Sequence, residues 1–131
     1  MNPGFTIILA EDDAFLRTAL LRLLERSGYK VVEAIDGRAA LLHLSQKPAH
    51  LVIVDMLMPG MEGAETISAI RSRHPAVKIL ATSGGGVNPP EDYLQLARAL
   101  GAHLALPKPW VPAQLLAAVA QLVGNVSSDP P

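Results

Sequence analysis

Three apolar runs in this chain each end in charge. Ile7-Ile8-Leu9-Ala10 leads into Glu11-Asp12-Asp13, Leu51-Val52-Ile53-Val54 into Asp55, and Leu104-Ala105-Leu106-Pro107 into Lys108. Asp55 is the only charged residue between Leu51 and Met61. A lone carboxylate leaving so hydrophobic a segment is costly unless something pairs with it or a ligand needs it. Carboxylates converging on one point repel and push protons onto each other. A hard divalent cation removes that conflict, and an all-oxygen donor set points to Mg2+ or Mn2+ rather than zinc. Lys108 adds an ammonium, Ser83 a hydroxyl, and the loop Ser83-Gly84-Gly85-Gly86 backbone N–H donors, which together suit a tetrahedral anion. One scheme uses every part. Asp55 attacks a phosphoryl group, the cation and Lys108 neutralise the transferring oxygens, and Ser83 holds the acyl phosphate formed.

Each residue also has a plainer reading. Asp12 or Asp13 can cap a helix at a strand-to-helix junction, Ser83 can be a turn residue, and Lys108 can extend to solvent. Capping does not account for three acids in a row. His43, His50, His74 and His103 have no metal-ligand spacing and read as core or surface residues. The methionines flanking Asp55 read as loop and core filler.

The elements that must position these groups follow from periodicity. Short apolar runs alternate with longer helical patterns, the mark of repeated βα units. Strands are predicted at Thr6 to Ala10, around Val31 and Val32, and at Leu51 to Asp55, Val77 to Thr82 and His103 to Leu106. The first helix is expected from about Ala14 to Ser27, with Phe15, Leu16, Ala19, Leu20, Leu23 and Leu24 on its inward stripe and Gly28 as its stop. A second runs from Asp36-Gly37 to Lys47, before Pro48. A third runs from about Ala64 to Arg73, a fourth from Pro90 to Gly101, and a last one starts at Pro112 and carries Leu115, Leu116, Val119, Leu122 and Val123. The pattern is a doubly wound α/β fold with five parallel strands, five helices and right-handed crossovers. Ligands of such sheets bind beyond the carboxyl ends of the strands, where Glu11, Asp12, Asp13, Asp55, Ser83 and Lys108 all fall.

Length and composition agree. At 131 residues the chain fits one domain, residues 1–131, with a core over about 6–123 and a frayed tail at 124–131. Half of it is hydrophobic, the formal net charge is −1 and the isoelectric point is about 6.4. That balance gives no basic footprint for nucleic acid or an anionic membrane. Zero cysteines exclude disulfides and thiolate metal sites, which suits a cytoplasmic protein. No secretion signal or apolar run of roughly 20 residues is present.

Taken with their order and spacing, Ile8-Leu9-Ala10-Glu11-Asp12-Asp13, Asp55-Met56-Leu57-Met58-Pro59-Gly60-Met61-Glu62-Gly63, Thr82-Ser83-Gly84 and Lys108-Pro109-Trp110 resemble the receiver domain of two-component response regulators. The resemblance runs from about Thr6 to Val123. It implies a flavodoxin-like sheet of order 2-1-3-4-5 and Asp55 as phosphoacceptor. It implies Asp12 as direct Mg2+ ligand, Glu11 acting through water, Leu57 offering its backbone carbonyl, Ser83 as switch hydroxyl and Lys108 as the conserved-type lysine. Asp13 matches no core role, which leaves it as a helix cap. The implied partner is a histidine kinase or phosphotransfer protein. Self-phosphorylation and slow self-dephosphorylation would be the only enzymatic activities. The downstream partner would dock on the fourth helix, fifth strand and fifth helix, with Trp110 and Val111 near the edge of that face, and the chain would be a monomer or a phosphorylation-dependent dimer.

One departure stands out. The family usually carries an aromatic residue three positions before the lysine, and here that residue is Ala105. Activation is therefore expected to move the Ser83 loop and fourth helix without aromatic gating. His103 is two residues earlier and offers no clear substitute. Nothing after Val123 is expected to bind DNA or catalyse, the run Ser83-Gly84-Gly85-Gly86 with Tyr93-Leu94 and Leu100-Gly101-Ala102 resembles single-domain receivers, and Met1 with a proline-ending tail favours a complete short chain over a fragment. Competing classes fit less well. A non-phosphorylated interaction module would not need the full acidic set, an aspartyl-phosphate phosphatase would show Asp-x-Asp where Asp55-Met56-Leu57 stands, and a flavin site would need a phosphate loop after the first strand.

Overall fold

The computed structural model describes residues 4–57, 63–84 and 89–124. Strands β1 (Thr6–Ala10), β2 (Lys30–Ala34), β3 (Leu51–Asp55), β4 (Lys78–Ser83) and β5 (Leu104–Pro107) alternate with helices α1 (Ala14–Arg26), α2 (Gly37–Gln46), α3 (Gly63–Arg73), α4 (Pro90–Leu100) and α5 (Pro112–Val123). All strand pairs are parallel, in the order β2-β1-β3-β4-β5. The winding reverses between β1 and β3, so the crevice at the switch point opens beyond the carboxyl ends of those two strands.

Alternation along each strand divides the core in two. Ile8, Ala10, Val52, Val54, Ile79 and Ala81 face α2, α3 and α4, while Ile7, Leu9, Leu51, Ile53 and Leu80 face α1 and α5. β3 is buried along its whole length, as a central strand covered on both faces must be. Every predicted element is present, with ends displaced by a residue or two. Gly28 takes φ +94 just past α1, the left-handed turn that a side chain resists.

The inward stripe of α1 needs correction. Leu20 and Leu24 are buried, with Leu16 and Leu23 packed beside them, but Ala19 is exposed and Phe15 is 88% exposed. Phe15 and Ala19, four residues apart, share a flank of α1 that is turned one position away from Leu16, Leu20 and Leu24 and faces solvent. The buried face of the helix is narrower than its run of apolar residues.

His103 and His50 do the same structural work. The Thr6 N–H donates to His50 Nδ1, and the Ile79 N–H donates to His103 Nδ1, both at 3.0 Å. Each imidazole thus satisfies a backbone donor at a strand start, and His103 N–H returns a bond to Ile79 O at 2.9 Å. Burial first, then Lys78 and Arg71, hold the His103 pKa below 6.5. The unfolded chain therefore takes up that proton more readily. The resulting stability is fully present above about 6.5 and is lost as pH falls through the lower folded value. His103→Asn, whose amide oxygen can accept the same N–H, is expected to flatten this acid-side decline in urea midpoints, and an unaltered pH profile would contradict the assignment.

Candidate functional site

The polar site forms where β1, β3 and β5 end. Glu11 follows β1 and is 3% exposed, and Asp55 closes β3 and is 7% exposed. Lys108 follows β5 and reaches between them, with Nζ 3.1 Å from Glu11 Oε1 and 3.4 Å from Asp55 Oδ2. Ligand oxygens of Glu11, Asp12 and Asp55 lie within 4.8 Å of one another, the only such cluster among the described residues. Asp12 is exposed, so the site has an open, wet side.

Local backbone bonds fix each group. The Leu57 N–H donates to Asp55 Oδ1 at 3.2 Å, and the Met56 N–H donates to Thr82 O at 2.9 Å, carrying the β3–β4 ladder one residue past the strand. The Asp13 N–H donates to Glu11 Oε2 at 3.3 Å. Asp13 itself caps α1, its Oδ1 accepting from the Phe15 and Leu16 N–H groups at 3.0 and 3.1 Å. Ser83 ends β4, fully buried, next along the strand from Thr82, which is in register with Asp55. Its carbonyl accepts from the Lys108 N–H at 2.8 Å, tying the hydroxyl-bearing turn to the lysine-bearing one. The Lys108–Pro109 peptide is cis.

The electrostatics are those of too many carboxylates. Burial, reinforced by the nearby Asp55 carboxylate, pushes the Glu11 pKa from 4.5 to about 7, against the opposing pull of Lys108. Burial draws Lys108 down, but Asp55 and Glu11 together outweigh it and hold the ammonium above its ordinary value. A single ammonium leaves the cluster anionic, and three oxygen donors at this spacing fit a hard divalent ion.

The structure thus brings together Glu11, Asp12, Asp55 and Lys108 and places Ser83 on the adjoining strand end. Leu57 lies directly after the site. The loop residues 58–62 and 85–88 and the tail 125–131 lie outside the described residues. Ala105 is buried with Ala81, Leu94, Ala97 and Ala102 under α4, so no ring occupies that position. Trp110 packs with the α1 and α5 side of the core.

Two supporting residues escaped sequence reasoning. Arg17, one turn into α1, donates through Nη1 to Glu11 O at 2.7 Å and pairs with Glu33 through Nε at 3.4 Å, which holds the acidic turn from behind. Its spacing of four residues from Asp13 is the only hint in the sequence. Gly63 opens α3 against the back of the site. A Cβ there would lie 2.5 Å from Met56 Cα and 2.6 Å from Asp55 O, closer than van der Waals contact allows. Gly63→Ala must therefore move the Asp55–Met56 backbone. We expect a loss of about 1–3 kcal/mol in urea unfolding together with weaker Mg2+ binding; an unchanged midpoint would contradict the close approach.

A profile of the response regulator receiver domain matches residues 7–120. The transcriptional regulatory protein CpxR of Escherichia coli is 33% identical over 121 residues, covering 89% of this chain and 48% of CpxR. This chain therefore spans about half the length of that relative. The response regulator receiver protein CpdR of Brucella abortus is 34% identical over 97 residues, covering 72% of this chain and 81% of CpdR. Among solved structures, the Vibrio cholerae chemotaxis protein CheY4 superposes with a TM-score of 0.80 at 29% identity, covering 90% of this chain and 98% of that one. Fold, strand order and sequence agree, and the chain belongs to the response regulator receiver domain family of two-component signalling.

Proposed function

We propose that this domain is a phosphoacceptor, in which Asp55 takes a phosphoryl group from a histidine kinase or phosphotransfer protein. The observation that carries the proposal is the Asp55 carboxylate, nearly buried at a strand end, with Lys108 Nζ at 3.4 Å and the Glu11 and Asp12 carboxylates within ligand reach. In the transfer an Asp55 oxygen forms the new bond to phosphorus, and the bond from phosphorus to the donor atom breaks, its electron pair leaving with the donor. Asp55 needs no base to act, since a carboxylate is its own nucleophile. Lys108 would neutralise a transferring oxygen from one side, and the Ser83 hydroxyl would hold the phosphoryl group from the β4 side. Glu11, Asp12, Asp55 and the Leu57 carbonyl would hold Mg2+ or Mn2+, which supplies charge that positions and neutralises the phosphoryl oxygens. Catalysis is limited to this self-phosphorylation and a slow return hydrolysis.

Phosphorylation of Asp55 would be read out through the Ser83 turn, α4, β5 and α5, the face on which a downstream protein docks. With Ala105 in the usual aromatic position, α4 rests on small side chains, and a shift of the helix itself is the remaining route. No described helix is long and apolar enough to cross a membrane, in keeping with a cytoplasmic role. Beryllofluoride with Mg2+ is expected to alter Trp110 fluorescence and slow backbone exchange in α4, and both responses should vanish in Asp55→Asn. Persistence of the fluorescence change in that variant would refute the site, and unaltered α4 exchange in the parent protein would refute the route.

A further inference from the structure

The formal net charge of −1 conceals a strong separation. Because all strands are parallel, every helix ends where the strands begin, and the cations gather at that end. Arg26 closes α1 and Lys30 opens β2; Lys47 caps α2; Arg71 and Arg73 end α3, Lys78 opens β4, and Arg98 lies in the last turn of α4. Among the described residues Glu25 is the only acid in the same positions. None of these cations is in an ion pair among the described residues, and Arg71 bonds only to the Pro75 carbonyl. Basic residues suit helix C-termini, but five termini at roughly half a charge each offset only part of a formal charge of about +6 among the described residues. At the opposite end stand the site acids with Asp13, Asp36, Glu65, Glu91 and Asp92, against Arg17, Arg38 and Lys108.

Shape follows the same division. The acidic end presents apolar knobs beside its acids: Phe15 next to the Asp13 cap, 88% exposed, and Ile35 next to the Asp36 cap, 61% exposed. The basic end presents two clefts on either side of the Lys47–Ala49 segment. One, of about 340 Å³, has Lys47, Arg73 and His74 at its rim and Leu44, Ala49 and Val77 in its wall. The other, of about 490 Å³, carries Lys30, His43 and Lys47. Among the described residues no acid lines either cleft.

We infer that the basic, clefted end of this domain is a docking surface for the acidic, knobbed end of a second copy, in a head-to-tail contact. Knobs on one surface and matching clefts elsewhere on the same molecule make a heterologous interface, which adds copies in a row instead of closing a dimer. The observations favour this occupant over a nucleic acid. Tyr29 at the basic end is buried and Phe5 packs edge-on against buried His50, so among the described residues neither Phe nor Tyr at that end offers an open platform for bases. Knobs and acids that match its clefts and charge are present on the chain itself. A seated copy covers the Asp55 end of its neighbour, so assembled chains would accept phosphate more slowly. That consequence rests on the phosphoacceptor reading, whereas the contact itself does not.

The test is sedimentation velocity of the unphosphorylated full chain at rising concentration and two salt levels. At about 20 mM salt the mean mass should grow with concentration, and at about 300 mM, where screening shortens to several ångströms, it should return to that of the monomer. Phe15→Ser removes a knob and Lys47→Glu with Arg73→Glu reverses a cleft; both lie on exposed side chains and each should abolish growth alone. Mixed together, the two variants retain one intact knob end and one intact cleft end, and should form a complex that stops at two chains. A monomer under all conditions, association that survives 300 mM salt or both variants, or retention of a DNA duplex at low salt without self-association would each overturn the inference. Phosphate acceptance by Asp55 is read separately, so failure of one reading leaves the other standing.

Discussion

Lys108→Ala is expected to lower phosphoryl acceptance from acetyl phosphate by roughly 100-fold or more, the usual effect of removing one charge aimed at a transferring group. The same change should strengthen Mg2+ binding. Lys108 Nζ sits 3.1 Å from Glu11 and 3.4 Å from Asp55, so it shares the carboxylates that a cation would take. Removing it leaves those acids facing each other with no cation between them, each keeping its backbone N–H bond from Asp13 or Leu57. The cost to the metal-free fold is about 1–3 kcal/mol, below that of a fully buried pair because the ammonium is partly solvated and Glu11 can take up a proton instead. Opposite signs for rate and metal affinity distinguish loss of a transfer group from general collapse of the site, which would lower both. Isothermal titration with Mg2+ and a phosphorylation time course on one preparation would read the two effects.

The second large effect is a pH dependence of Mg2+ binding. Glu11 carries its proton up to about 7, because burial and Asp55 disfavour its charge. A ligand carboxylate must be ionised, so a cation has to displace that proton. Affinity should rise about tenfold per pH unit below about 7 and level off above it, for a total of roughly 100-fold between pH 5 and pH 8. The stability of the metal-free protein runs the other way. The folded pKa is raised above 4.5, so the contribution of Glu11 is fully present below about 4.5 and is lost as pH rises through about 7. Glu11→Gln should flatten both profiles, and Mg2+ affinity independent of pH in the parent protein would show that Glu11 is already ionised.

Much of this was legible in the residues, for a physical reason. In a parallel sheet the functional groups must lie just past strand ends, and apolar runs that stop at Glu11, Asp55 and Lys108 mark those ends directly. Asp13 was readable as a cap because capping depends only on neighbours in sequence. Other features arise from packing. Phe15 and Ala19 adjoin the apolar stripe of α1, yet the buried face is narrower than that run, so periodicity assigned to the core a flank that faces solvent. Gly63 looks like one loop glycine among several until α3 is seen lying against the Asp55–Met56 backbone. The division of charge was hidden in the net value of −1, because composition adds across the molecule what parallel topology sets at opposite ends. Arg17 shows its purpose only once the turn after β1 folds back over α1.

The central claim is that Asp55 receives the phosphoryl group. Mass spectrometry of the chain after incubation with acetyl phosphate and Mg2+ tests it most directly. The account predicts one added phosphoryl group, dependent on Mg2+, released by hydroxylamine as an acyl phosphate must be, and mapped to the peptide containing Asp55. It predicts no addition in Asp55→Asn. Phosphate gained by Asp55→Asn at the parent rate, or mapped to another residue of the parent chain, would contradict it.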